Sequence, residues 1–190
     1  MNARRRALLI QALAAALLPV GPISAAGPRA TSGRHNDSQT LHGEVVAVID
    51  GDTLEIVDAQ RDRHRIRLAG IDAPEHDQAH GDAATHALTA LAMRRQVMVT
   101  GRKVDMWQRL VGQIWLDGRD LNLELVAAGH AWHDRLHRRE QTADAQRRYE
   151  AAEQAARAGR LGLWALPDPE PPAVFRRRKD LSRTIDATTR

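Results

Sequence analysis

Residues 65–75 read Arg-Ile-Arg-Leu-Ala-Gly-Ile-Asp-Ala-Pro-Glu, and about one hairpin upstream residues 48–53 read Val-Ile-Asp-Gly-Asp-Thr. The first stretch is a strand running into a proline turn that carries Arg67, Asp72 and Glu75; the second adds Asp50 and Asp52. Hard divalent cations such as calcium take carboxylate, carbonyl and water oxygens and tolerate irregular geometry. Asp52, Asp72 and the backbone carbonyl of Ala73 are therefore a candidate partial cage, with water or a phosphate oxygen completing it. Arginine offers a planar fork matched to phosphate oxygens that lysine does not reproduce, which suits Arg67. Glu75 lies three residues past Asp72, beyond the stiff turn at Pro74, where a carboxylate could take a proton from an attacking water.

Each piece alone has a plainer reading. Asp50-Gly51, between alternating Val45, Ala47, Ile49 and Leu54, Ile56, is a hairpin turn of the type that wants positive φ at both central residues. Ala-Pro-Glu alone is an ordinary turn. The combination is more specific: Val-Ile-Asp-Gly-Asp-Thr, then Arg-x-x-x-x-Asp-x-Pro-Glu, then Asp-x-x-x-Arg at residues 105–109. Together these resemble the staphylococcal nuclease (thermonuclease) family. Asp-Gly-Arg-Asp-Leu-Asn at 117–122, Leu-Val-Ala-Ala-Gly at 125–129 and Gly-Leu-Trp at 162–164 continue the resemblance in the same order, from about residue 42 to residue 164.

The resemblance implies a mainly β, α+β fold: a five-stranded OB-fold Greek-key barrel with about three helices. It also implies a calcium-dependent endonuclease acting on DNA, RNA or both, which breaks the 5′ P–O bond and leaves 3′-phosphates. Calcium would be held by Asp52, Asp72 and the Ala73 carbonyl, with Asp50 in support; Glu75 would be the general base; Arg67 and Arg109 would bind the phosphate. Trp107 and Gln108 stand where the family usually has tyrosine and glycine. Trp132 matches the first of two aromatic positions near the substrate, and Asp134 replaces the second. Trp107 and Trp132 are the candidate substrate-binding aromatics. The alternative is a non-catalytic OB-fold module that binds nucleic acid without cutting it; retention of Asp52, Arg67, Asp72, Glu75 and Arg109 together argues against it.

The remaining sequence fits one domain with appendages. Residues 1–26 read as a secretory signal peptide: Arg4, Arg5 and Arg6, an apolar run from residue 7 to 20, then Ser24-Ala25-Ala26. The run is too short to span a bilayer comfortably, so export to the periplasm or medium is expected, with no stable membrane association after cleavage. Residues 27–40 read as a flexible linker and residues 41–166 as the nuclease domain, expected to act as a monomer. The chain has no cysteine, which decides nothing about compartment.

Period-two runs over Val45–Ile49, Leu54–Ile56 and Ile66–Leu68 make a three-stranded meander. A helix over residues 82–93, with Asp82 as cap, strands at 97–100 and 110–116, a short helix at 122–128 stopped by Gly129, and a long helix at 142–158 ended by Gly159 follow. Residues 167–190 are a proline-rich and basic tail, expected to be extended. Without residues 1–26 the chain carries 25 basic and 24 acidic side chains, but residues 27–172 hold 19 and 22. The basic excess thus sits in the tail, where the run at residues 176–179 is expected to help capture a polyanion. His76, His80 and His86 are expected to be solvated loop histidines, not zinc ligands.

Overall fold

The computed structural model describes residues 39–188. The signal peptide and nearly all of the linker lie outside the described residues, although the last two linker positions already belong to a strand. In order, the elements are β1 (Gln39–Asp50), β2 (Thr53–Val57), β3 (Arg63–Leu68), β4 (Ile71–Asp72), α1 (Gly81–Ala92), β5 (Gln96–Val104), β6 (Leu110–Leu116), β7 (Arg119–Asp120), α2 (Leu121–Ala127), β8 (Trp132–His133), α3 (Ala143–Ala158) and α4 (Pro172–Thr188).

β3, β2, β1, β5 and β6 lie side by side in that order, each pair antiparallel, and a parallel pairing of β3 with β6 closes the ring. This is the expected five-stranded barrel of OB type, mixed through that one parallel pairing, with β7 added beside β6. Alternation drives it: on β3, Ile66 and Leu68 point inward at 0 and 1% exposure, while Arg67 between them faces out. β6 alternates in the same way through Leu110, Gly112, Ile114 and Leu116. Burying each such aliphatic side chain contributes about 1.5 to 3 kcal/mol. α1 lays Ala84, Leu88 and Ala92 on β1, and α3 adds Tyr149 to the same core.

Several expectations need correction. The β1–β2 connection is Gly51-Asp52, since Asp50 pairs with Thr53, and neither residue has positive φ. The Asp50 carboxylate accepts the Asp52 N–H at 2.9 Å, so a local side-chain turn closes the hairpin without left-handed geometry. Glycine is needed at 51 for space instead: a Cβ there would stand 2.7 Å from that of Ala84 and 2.8 Å from that of Ala73. α1 begins at Gly81 behind a left-handed His80, not at an Asp82 cap. β5 runs on to Val104 through a register shift between Gly101 and Lys103, where charged residues disguised the strand. The basic tail is a fourth helix, α4, with Pro172 in its first turn, a position whose missing N–H costs a helix nothing.

Two buried polar residues hold the site-bearing loops on the barrel. The Asn122 side chain is fully buried; its amide donates to the carbonyls of Ala69 (3.0 Å) and Gly112 (3.2 Å), and its carbonyl accepts from the N–H of Ile114 (3.1 Å). It thereby pins the link between β3 and β4, from which Asp72 hangs. Tyr149 donates to Asp120, whose own carboxylate caps α2 at the N–H of Leu123. Asn122→Ala removes the side-chain partner of the Ala69 carbonyl and the Ile114 N–H, while the Gly112 carbonyl keeps the Ala69 N–H at 2.8 Å; at about 1 to 3 kcal/mol for each group left unpaired, it is expected to destabilise the fold by about 2 kcal/mol or more, read as a lowered urea midpoint with unchanged slope.

Candidate active site

Asp52 is only 6% exposed, at the tip of the β1–β2 turn. Its carbonyl accepts the Leu68 N–H (2.8 Å), its Oδ2 accepts the Ala73 N–H (2.8 Å), and its Oδ1 accepts from the Thr53 hydroxyl (3.1 Å). Turn and proline segment are thus tied through one residue. β8 clamps the same segment from the other side: Asp72 pairs with Trp132, Ile71 with His133, and the Asp134 N–H donates to the Gly70 carbonyl.

Arg67 leaves β3 on the outward face and is held by the carbonyls of Leu68 (2.7 Å) and Ile71 (2.9 Å). Its other terminal nitrogen lies 3.1 Å from Asp52 and 3.4 Å from Asp72. Its position is therefore fixed by backbone before any ligand arrives. Arg109 is aimed by Asp105, which accepts the backbone N–H groups of Trp107 (2.9 Å) and Arg109 (3.0 Å) at one oxygen and the Arg109 Nε (2.8 Å) at the other. Gln108, at the position where a glycine was expected, has φ 61° in this turn. Trp107 is exposed and stacks on the Arg109 guanidinium, 4.9 Å from its ring centre.

These groups share one cleft of about 350 Å³, lined by Asp50, Asp52, Arg67, Asp72, Ala73, Glu75, Trp107 and Arg109. Every catalytic and metal candidate from the sequence is brought together. Trp132 is not: it is buried against Trp164, ring centres 5.2 Å apart, and does not line the cleft. The wall on that side is made instead by Asp134, Leu136 and His137, with His137 Nδ1 paired to Asp134 at 2.7 Å. Sequence reasoning missed Leu136 and His137 because they reach the cleft only through the long-range pairing of β8 with β4.

It also missed Arg176. From α4 its guanidinium meets both oxygens of Asp72 (3.2 and 3.1 Å) and Oε1 of Glu75 (2.6 Å). Arg178 pairs with Glu170 and Lys179 with Asp77, so three of the four basic residues expected to reach for substrate are engaged by the chain's own carboxylates. Pro172 at a helix start, followed by apolar residues at 174, 175, 181 and 185, was the available signal for α4.

The carboxylates are crowded. Burial, and then the charge of Asp52, push Asp50 up to about 6, and burial raises Asp72 as well, against the opposing pull of Arg176. Among the described residues no three His, Cys, Asp or Glu side chains converge as a complete cage. Asp52, Asp72 and the Ala73 carbonyl are two carboxylates and a carbonyl, a donor set that suits a hard cation completed by water and phosphate. A guanidinium already standing on Asp72 and Glu75 indicates that the cluster accepts a cation. His80 stacks on His130, with ring nitrogens 3.1 Å apart, and His76 pairs with Asp82; neither lines the cleft.

A family model described as "Staphylococcal nuclease homologue" matches residues 65–166. The chain belongs to the staphylococcal nuclease family. Membership makes it a nuclease hydrolase with nucleic acid as its substrate class. Similar proteins include a micrococcal nuclease of Shigella flexneri, 38% identical over 146 residues that cover 72% of this chain and 81% of that protein. Protein ParB of Escherichia coli is 36% identical over 152 residues, 75% of this chain and 83% of its own. An uncharacterized endonuclease of Escherichia coli O157:H7 is 37% identical over 140 residues, 73% and 87%. The matched staphylococcal nuclease region begins at Arg65, so Asp50 and Asp52 are tied to it by the hydrogen bonds above.

Asp105 carries a pH signature. Burial tends to raise it, but hydrogen bonds from Arg109 and Trp107 and the Arg109 charge outweigh this and hold it below the ordinary 3.8. A depressed carboxylate stabilises the fold above its unfolded value and loses that contribution as pH falls through the folded one. The stability deficit of Asp105→Ala is therefore expected to be largest at about pH 6 and to shrink towards about pH 3, checked by urea midpoints across that range.

Proposed function

We propose that the protein is an exported, calcium-dependent nuclease that hydrolyses phosphodiester bonds of DNA, RNA or both and leaves 3′-phosphates. The observation that carries this reading is the convergence of Asp52, Arg67, Asp72, Glu75 and Arg109 on one cleft. Asp52, Asp72 and the Ala73 carbonyl are the groups that would hold calcium, with Asp50 supporting Asp52 through the turn. When bound, the ion supplies positive charge against the phosphate and lowers the pKa of water. Glu75, beyond Pro74 and partly exposed, takes the proton of the attacking water. Arg67 and Arg109 face the phosphate from β3 and from the turn before β6 and stabilise the charge that grows on its oxygens. Trp107, beside Arg109, offers a flat face to a base or sugar. Export rests on the basic, apolar and small-residue pattern of residues 4–26.

The test is incubation of the purified protein with single-stranded and duplex substrates, in calcium or in a chelator, followed by analysis of the ends. Calcium-dependent products ending in 3′-phosphate are expected; no calcium-dependent cleavage of any substrate would overturn the reading. Glu75→Gln is expected to lower kcat by about two to four orders of magnitude, the usual worth of a positioned base, with nucleotide binding retained by equilibrium titration. Arg67→Lys and Arg109→Lys are both expected to lose activity despite unchanged charge, because the bidentate fork is gone; full activity in either would remove that arginine from the site.

A further inference from the structure

We infer that α4 is a self-inhibitory lid, whose Arg176 neutralises Asp72 and Glu75 and competes with calcium for the first of them. This rests on the reading of Asp72 as a metal ligand and Glu75 as the base.

The geometry sets the two cations in competition. Arg176 takes both oxygens of Asp72 and the near oxygen of Glu75, and Arg67 shares the first Asp72 oxygen. A ligating carboxylate must turn a lone pair to the ion at about 2.3 to 2.6 Å, and with Arg176 on both oxygens of Asp72 and Arg67 sharing the first, few of the roughly four lone-pair directions of that carboxylate remain, so calcium competes with Arg176 for it. Glu75 bound in this way has its near oxygen committed to an arginine and not to a water. Two positive groups a few ångströms apart in a half-buried cleft also repel.

The lid is built to come off. Its anchors are Arg176 on the cleft, Arg178 on Glu170 and Lys179 on Asp77, with side-chain exposures of 46, 60 and 39%. The Arg178 and Lys179 pairs are exposed on both partners or nearly so and are weak and screened by salt, while the bidentate Arg176 pair on the half-buried Asp72 is the stronger contact, and the one for which calcium competes. Apolar burial adds little: Pro172 is buried, Phe175 is half-buried, and Val174 and Leu181 are exposed. The hinge, by contrast, is fixed. The buried Gln78 donates to the Glu170 carbonyl at 2.6 Å and accepts the Glu75 N–H at 3.1 Å, tying the start of α4 to the base's own backbone. Contrast with Arg67 is instructive, because that arginine is held by two backbone carbonyls whereas Arg176 is held by carboxylates alone. One is a fixture and the other exchangeable.

The test measures calcium binding without substrate, by calorimetry on the full chain. A site open a tenth of the time binds about tenfold more weakly than its open form, so Arg176→Gln is expected to tighten the apparent Kd about tenfold. Lys179→Gln loosens the lid away from the cleft and is expected to tighten it about two- to threefold. Arg177→Gln removes the same charge from an exposed neighbour and is expected to change nothing. In the unsubstituted protein calcium is expected to speed tryptic cleavage within residues 176–179, followed by mass spectrometry. An unchanged or weakened Kd in Arg176→Gln would overturn the lid while leaving the proposed function standing, as would equal tightening in Arg177→Gln or tail cleavage indifferent to calcium. Calcium bound by none of these forms would overturn both readings.

Discussion

Asp52 is the joint on which the rest of the site hangs. A carboxylate so nearly removed from water has to be satisfied by the protein, and this one takes the Ala73 N–H, the Thr53 hydroxyl and the Arg67 guanidinium, while its own carbonyl takes the Leu68 N–H. Those bonds draw together a turn and a loop more than twenty residues apart in sequence. The barrel determines where this happens: the parallel pairing of β3 with β6 puts Arg67 beside Val111, so the turn carrying Arg109 opens at the same end as Asp52 and Asp72. Fold and chemistry are linked by closure of the ring, not by any sequence-local feature.

The carboxylates impose an electrostatic cost that the site must offset with cations. Asp50 is displaced to about 6 and Asp72 is raised because both are desolvated near other acids, and residues 27–172 are acidic in sum. The basic surplus of α4 lies where it compensates this, pairing with Asp72, Glu75, Asp77 and Glu170. A basic run that reads in isolation as a handle for polyanions is, in the folded chain, a counter-ion for the active site.

Much of this was legible in the sequence, and what was not has a common cause. The barrel strands follow from strict alternation, and Asp52, Arg67, Asp72, Glu75 and Arg109 stand in short motifs whose joint meaning came from their resemblance to the staphylococcal nuclease family. The failures involve groups placed by contacts between distant segments. Trp132 reads as a candidate for stacking, but β8 turns it onto Trp164. Leu136 and His137 carry no motif and reach the cleft through β8. The turn at Gly51-Asp52 was assigned the wrong backbone type because dipeptide preference gave no account of the Asp50 side chain closing it or of Ala73 and Ala84 pressing on the glycine. The four prolines of residues 167–172 and the arginine run of α4 argued for an extended tail, and only its acidic docking surface, supplied by residues 72–77 and 170, shows why it lies where it does.

The walls of the cleft and its cover are built differently. On one side the Asp105 carboxylate locks the turn that bears Trp107 and Arg109; on the other the Asp134 carboxylate accepts the N–H groups of Leu136 and His137. Each wall is a turn closed by its own aspartate, with geometry that does not depend on what fills the cleft. α4 has no such local closure at its point of contact, and its guanidinium rests on the two carboxylates that the proposed chemistry most needs free. In the proposed reading, a change in cation supply acts on the cover, which is held by charge, before it acts on walls held by their own hydrogen bonds. The separation of Arg67 from Arg176, one bound to carbonyls and one to carboxylates, is thus what distinguishes the proposed phosphate-binding group from the proposed exchangeable cover.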